Sequence, residues 1–168
     1  ARKAVHPLLL EPTYWRDRMR EFDQSRPGVV WTPRPDLSGN GREVMEFRIR
    51  SFDGSRLWGL FARPAWQSGP WAARVRAVGP AERPCPDVRT ARTGTAEFVF
   101  QEPPGRPLAD RVLDVVQVCR LALGTTGINE VQVEVPGEDD TRCADELMIA
   151  GQLLTNRIVP PLAHDPSS

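Results

Sequence analysis

The stretch with the most chemical potential reads Pro136-Gly137-Glu138-Asp139-Asp140. Three successive carboxylates after a Pro-Gly turn allow three readings. Asp139 or Asp140 could act as a carboxylate nucleophile. That chemistry needs a base within hydrogen-bond reach, and the only histidines are His6 and His164, one near each end of the sequence. Histidines so placed read as solvated side chains rather than bases. The trio could instead hold Mg²⁺ or Ca²⁺ weakly, but its spacing matches no defined cation loop. The third reading is negative charge at the start of a helix, where each charge contributes about 0.3–1 kcal/mol against the helix dipole. The last is preferred, so the sequence implies no catalytic residues, no cofactor and no metal.

The cysteines add no site. There are three, Cys85, Cys119 and Cys143. An odd number without paired spacing fits reduced thiols better than a disulfide framework. Cys119 and Cys143 fall on apolar helical stripes and read as core residues. Cys85 sits in Arg83-Pro84-Cys85-Pro86 with no companion Cys or His, which argues against a metal site.

Composition narrows the class. The 168 residues are 40% hydrophobic and 26% charged, as in an ordinary globular domain. The 22 basic and 22 acidic residues cancel, which excludes a general nucleic-acid binder. Lys3 is the one lysine. The remaining basic surface is arginine, suited to bidentate pairing with carboxylates. No stretch approaches the roughly 20 apolar residues of a membrane span. Ala1-Arg2-Lys3 lacks the apolar run of a secretory signal. The expectation is a soluble, cytoplasmic protein.

Periodicity supplies the elements that would position any site. Glu11 to Gln24 reads as a helix with Tyr14, Trp15, Met19 and Phe22 on its apolar side. Arg26 to Gly41 is a Pro/Gly-rich connection, with Trp31 anchoring it on the body. Glu43 to Ser51 alternates as a half-buried strand. Asp53-Gly54 is a strong hairpin signal, and Ser55 to Arg63 returns as a second strand. Ala72 to Val78 sets Ala73, Val75 and Ala77 against Arg74 and Arg76. Gly79 to Gly94 is rich in Pro and Arg and shows no helical period. Thr95 to Gln101 is a fourth strand. A helix opens at Pro107 with the stripe Leu108, Val112, Val115, Val116, Cys119, Ala122 and Leu123, and Gly124 ends it. Glu130 to Val135 is a fifth strand, with Gln132 and Glu134 on its polar side. Thr141 to Arg157 is a last helix. These give an N-terminal helix and arm over 1–42, an α/β domain over 43–159 and a flexible tail over 160–168.

The hairpin Phe47-Arg48-Ile49-Arg50-Ser51-Phe52-Asp53-Gly54-Ser55-Arg56-Leu57-Trp58-Gly59-Leu60, followed by Arg63-Pro64, resembles the start of the α/β hydrolases. It is most similar to the acetyl xylan esterase / cephalosporin-C deacetylase branch. The Tyr14-Trp15-Arg16 helix and the helix-loop-strand run from Asp114 to Val133 fit the same resemblance. It implies a nucleophile elbow of the form Gly-x-Ser-x-Gly after the last strand. The corresponding stretch is Glu134-Val135-Pro136-Gly137-Glu138-Asp139-Asp140-Thr141, with Gly137 where the serine would stand. The family's His-Gly oxyanion loop is replaced by Val78-Gly79-Pro80. The strands that would carry the family's acid and histidine have no counterpart. The resemblance is therefore to a truncated, degenerate hydrolase.

The expected fold is a two-layer α/β domain with a mostly parallel five-stranded sheet, an N-terminal hairpin and helices mainly on one face. The alternation of Arg74, Arg76, Gln132 and Glu134 with apolar residues predicts an open second face, since fully covered parallel strands read as continuous apolar runs. The expected function is a non-catalytic, hydrolase-like binding or structural subunit of a protein assembly. Arg74, Arg76, Gln132, Glu134, Trp31, Trp66 and Trp71 are the candidate partner contacts. The alternatives are a residual esterase-type hydrolase using a carboxylate of the acidic turn, and a weak metal or ligand binder there. Self-association is left open.

Overall fold

The computed structural model describes residues 28–134 except 88, 90 and 91, together with residues 17, 19–21 and 162. Asp17, Met19, Arg20 and Glu21 are helical, inside the helix expected over 11–24, and Met19 is buried. The acidic turn 136–140, Cys143 and the expected helix 141–157 lie outside the described residues.

Among the described residues, six strands and one long helix follow in the order β1 (Val30–Pro33), β2 (Arg42–Arg50), β3 (Arg56–Pro64), β4 (Trp71–Val78), β5 (Ala96–Gln101), α1 (Leu108–Gly124) and β6 (Ile128–Glu134). They form one mixed sheet in the spatial order β1-β2-β3-β5-β4-β6. The pairings β1–β2, β2–β3 and β3–β5 are antiparallel; β5–β4 and β4–β6 are parallel. This corrects the five-stranded, mostly parallel expectation in two respects. The Pro/Gly-rich connection contains a short sixth strand, too brief for alternation to reveal. The hairpin strands also extend the sheet as an antiparallel half, leaving only β5, β4 and β6 parallel.

The hairpin forms where Asp53-Gly54 stands. Gly54 adopts φ +86°, which a side chain would resist. Asp53 accepts the Ser55 backbone N–H at 2.9 Å, an Asx turn that fixes the reversal. Gly59, in the middle of β3, is required for a different reason. A Cβ there would lie 2.2 Å from the Val99 carbonyl oxygen and 2.7 Å from the Phe47 ring.

Alternation sends Phe47, Ile49, Leu57, Phe61, Ala73, Val75, Ala77, Phe98, Phe100, Val131 and Val133 into one buried cluster with α1. Phe61 stacks on Phe98 at 4.5 Å between centroids, and Trp31 meets Phe47 and Phe61 edge-on at 6.0 and 5.8 Å. The helix is buried on more than its apolar stripe. Asp114, Gln117 and Arg120, spaced three apart, are buried as well. Gln117 donates to the Arg50 carbonyl at 2.8 Å and accepts from Arg120 at 3.0 Å. Gly124 does end α1, but it is not left-handed. A Cβ there would lie 1.9 Å from the Leu162 carbonyl oxygen. Leu162 is buried and donates its N–H to the Arg120 carbonyl at 3.0 Å, so at this residue the expected flexible tail is docked.

The second face is open as expected at Arg74, Gln132 and Glu134, which are exposed, but not over its centre. Leu60, Val99, Val44 and Ala62 on it are buried, although no helix covers them among the described residues. Two irregular segments cover them. Leu37, from the 34–41 connection, packs on Val44, Leu60 and Ala62. The 79–94 connection, helical at Arg89 and Arg92 among its described residues, lays the buried Pro84 and Pro86 over the centre. It is fastened by its backbone. Arg76 donates to the Cys85 carbonyl at 2.7 Å, and Arg42 donates to the Pro86 carbonyl at 3.2 Å. Glu97 accepts the Asp87 N–H at 3.0 Å and pairs with Arg76 at 3.1 Å.

Candidate functional site

In open α/β sheets, ligands bind outside the carboxyl ends of the parallel strands, where connections part to opposite faces. Here the connection leaving Val78 crosses the loop-covered face, and the one leaving Gln101 leads into α1 on the other. The candidate site is therefore the crevice outside Val78, Gln101 and Glu134.

The turn after β4 is Gly79-Pro80-Ala81-Glu82. Glu82 donates its N–H to the Gly79 carbonyl at 3.0 Å. The Pro80 and Glu82 carbonyls accept from the Gln101 side-chain amide at 3.0 and 2.8 Å. Gln101 in turn accepts from the Trp58 indole at 2.8 Å. An oxyanion hole aims N–H donors at developing negative charge. At this turn Pro80 has no N–H, the Glu82 N–H is used within the turn, and the Pro80 and Glu82 carbonyls face the Gln101 amide.

Beside this turn, Glu102 donates its N–H to the Val78 carbonyl at 3.0 Å. Its carboxylate is buried and pairs with Arg111 at 3.1 Å through Oε2, while Oε1 has no hydrogen-bond partner among the described residues. A buried acceptor of this kind suits a bound water or hydroxyl.

Next to the crevice lies a cluster that the sequence pattern did not single out. Asp114 on α1 is fully buried and accepts from the Ser51 hydroxyl and from Arg106 at 3.0 and 3.1 Å. Arg106 also pairs with Asp53 in the hairpin turn. Burial raises the Asp114 carboxyl to about 6, against the pull of Ser51 and Arg106. Hydrogen bonding to Arg106 holds the Asp53 carboxyl well below its usual range. The cluster ties the hairpin tip to the helix. With Ser51 buried and its hydroxyl donated to Asp114, it presents no nucleophile to solvent. Asp114, Gln117 and Arg120 at helical spacing within an apolar stripe were the signal that could have found it.

The proposed contact residues do not converge. Arg74, Gln132 and Glu134 lie together along β4 and β6, and all three are exposed. Arg76 is engaged beneath the 79–94 connection. Trp71 is buried within the core, donating its indole N–H to the Gln67 carbonyl at 3.1 Å, which removes it as a surface anchor. Trp31 packs on the aromatic cluster at the opposite margin, while Trp66 is exposed. Pro136, Gly137, Glu138, Asp139 and Asp140 lie outside the described residues. Among the described residues, no three His, Cys, Asp or Glu side chains gather as a metal site, and no helix is long and apolar enough to cross a membrane.

This mixed sheet, with its antiparallel hairpin half and its parallel β5–β4–β6 half, has the α/β hydrolase fold in broad outline. No family model and no curated protein sequence matches the chain significantly. Solved structures do. The acetyl xylan esterase from Paenibacillus sp. R4 is similar with a TM-score of 0.67 at 14% identity, over 90% of this chain and 57% of that one. Acetyl Xylan Esterase 1 from Thermoanaerobacterium sp. JW/SL YS485 gives a TM-score of 0.68 at 12% identity, over 94% of this chain and 57% of that one. The chain thus spans little more than half the length of these esterases, and at such identities the likeness is one of fold alone.

Proposed function

We propose that the chain is a non-catalytic, hydrolase-like binding or structural subunit of a protein assembly. The observation that carries this reading is the Gly79–Glu82 turn, which has no N–H at Pro80, uses that of Glu82 within itself and turns two carbonyls to Gln101, beside the crevice where an acyl-transfer enzyme needs donors. The stretch after β6 supports it, since Pro136-Gly137-Glu138-Asp139-Asp140 contains no serine. The partner docks on the expected contacts that are exposed, Trp66 after β3 and Gln132 and Glu134 on β6. Exposed aromatic and mixed polar groups suit a protein contact. The protein works in the cytoplasm, where the free thiols of Cys85 and Cys119 stay reduced.

A fluorophosphonate probe and a p-nitrophenyl acetate assay test the catalytic half of the proposal. No labelling and no hydrolysis above buffer are expected; stoichiometric labelling overturns the reading. Affinity purification from the native host, with Trp66→Ala as the control, tests the binding half. A stoichiometric partner lost in the variant is expected, and a clean monomer that retains nothing overturns it.

A further inference from the structure

Away from the crevice, where the 79–94 connection meets the sheet, a half-open groove of about 370 Å³ is lined by Ala72, Ala73, Arg74, Arg89, Thr93, Thr95 and Gln132. It lies toward the amino-terminal side of the parallel strands, since Thr95 precedes β5 and Ala72 opens β4. Its chemistry is one-sided: two guanidiniums, two hydroxyls and an amide, with no carboxylate in the lining among the described residues.

Strand register explains part of this convergence. Arg74 and Gln132 are direct partners across the parallel β4–β6 ladder, so their side chains leave the same face side by side. Thr93 and Thr95 flank Gly94, whose φ of +77° turns the chain into β5. Arg89, 84% exposed, comes from the helical part of the same connection.

Carboxylates near these arginines hold them loosely. Glu134 is 3.5 Å from Arg74 Nε, and Asp87, which accepts the Arg89 backbone N–H at 2.9 Å, is 3.7 Å from Arg89 Nε, with no hydrogen bond to the guanidinium in either pair. Exposed pairs of this kind contribute at most about 1 kcal/mol. In both pairs the ion contact is made at Nε. The Nη groups of Arg74 and Arg89 and the amide of Gln132 have no partner among the described residues. Glu97, the neighbouring buried carboxylate, is held by Arg76 and the Asp87 N–H.

We infer that this groove binds the phosphate group of a small phosphomonoester. Donors from three directions match the several oxygens of a phosphate better than the planar pair of a carboxylate, and the arginines bring charge-assisted, two-pronged bonds. The remaining volume admits a compact polar body beyond the phosphate. Isolated protein can bind such a ligand, so this proposal and the partner proposal can fail independently.

The test is a titration of the whole chain with glycerol 3-phosphate and with inorganic phosphate, at fixed ionic strength in chloride. The readout is the backbone amide signals of Thr93, Gly94 and Thr95. Saturable shifts with a millimolar or tighter Kd are expected. Arg74→Gln and Arg89→Gln, both at exposed positions, should each weaken binding about tenfold. Arg48→Gln, on an exposed residue at the far side of the sheet, should leave it unchanged. The proposal is overturned if these signals do not saturate, if acetate shifts them as strongly as phosphate, or if Arg48→Gln weakens binding as much as the groove variants.

Discussion

Val75, Phe98 and Phe100 lie on strands packed under a 17-residue helix, whereas Leu60, Val99 and Ala62 on the opposite face are equally dry under two stretches of irregular chain. The helix satisfies its own backbone groups and needs only an apolar stripe to seal its face. An irregular segment has no such internal supply, so its backbone must be paired from outside. Here the sheet supplies that pairing. Arg42, Arg76, Glu97 and Gln101 reach up from the strands to the carbonyls of Pro86, Cys85, Pro80 and Glu82 and to the Asp87 N–H. Polar residues on a strand therefore do not imply a solvated face. They can be the fastenings of a loop.

The first way to break this comparison is on the helix side, where burial alone should set the cost. Phe98→Ala removes a ring that stacks on Phe61 and contacts Phe47, at the centre of the cluster. The expected loss is about 3–5 kcal/mol, read from urea denaturation at unchanged m-value. A cost below about 1 kcal/mol would mean that the core lies elsewhere.

The loop side should respond to loss of a fastening rather than of volume. Glu97→Ala removes the acceptor of both Arg76 and the Asp87 N–H. We expect about 2 kcal/mol of destabilisation, with faster hydrogen exchange through residues 84–87 and little change in α1. If exchange in that segment is unaffected, the two faces are not sealed by different means. Uniform acceleration over the whole sheet would count against the distinction equally.

The sequence told the two faces apart unevenly. The helix side was legible because a period of 3.6 over Leu108 to Leu123 and a period of 2 over Ala73, Val75 and Ala77 repeat long enough to register. Trp58-Gly59-Leu60 pointed to the hairpin, and the close approach of Val99 and Phe47 explains why glycine is needed there. The loop side was not legible. Pro84 and Pro86 are buried singly, without period, and Arg76 looks the same in sequence whether it meets water or the Cys85 carbonyl. The short strand Val30–Pro33 escapes detection because four residues that end on a proline carry too little alternation. For the candidate site, Val78-Gly79-Pro80 stands in the sequence where the resemblance implies a His-Gly loop, but the hold of Gln101 on the Pro80 and Glu82 carbonyls is one that no motif connects to it.

The smallest expected effect lies at the junction of the two faces, and it depends on pH. Asp114 has its carboxyl raised by burial to about 6, from an ordinary value of 3.8. The unfolded chain therefore gives up this proton more readily than the folded one, and the native state is disfavoured as pH rises between those values. By linkage, the loss from pH 5 to pH 7.5 is about 1 kcal/mol. Asp53 works in the opposite direction and in a lower window. Its lowered carboxyl stabilises the fold above about pH 4, and that contribution is lost on further acidification. Between pH 5 and 7.5 Asp53 is ionised in both states, so of these two carboxyls only Asp114 contributes a slope there. Asp114→Asn keeps the shape and one acceptor for Ser51 and Arg106 while removing the titration. Its unfolding free energy should be nearly flat over this range, where that of the parent declines. A parent curve that is already flat would mean that Arg106 and Ser51 fully offset the burial of Asp114. The cluster would then be a neutral bolt between hairpin and helix, not a pH-sensitive one.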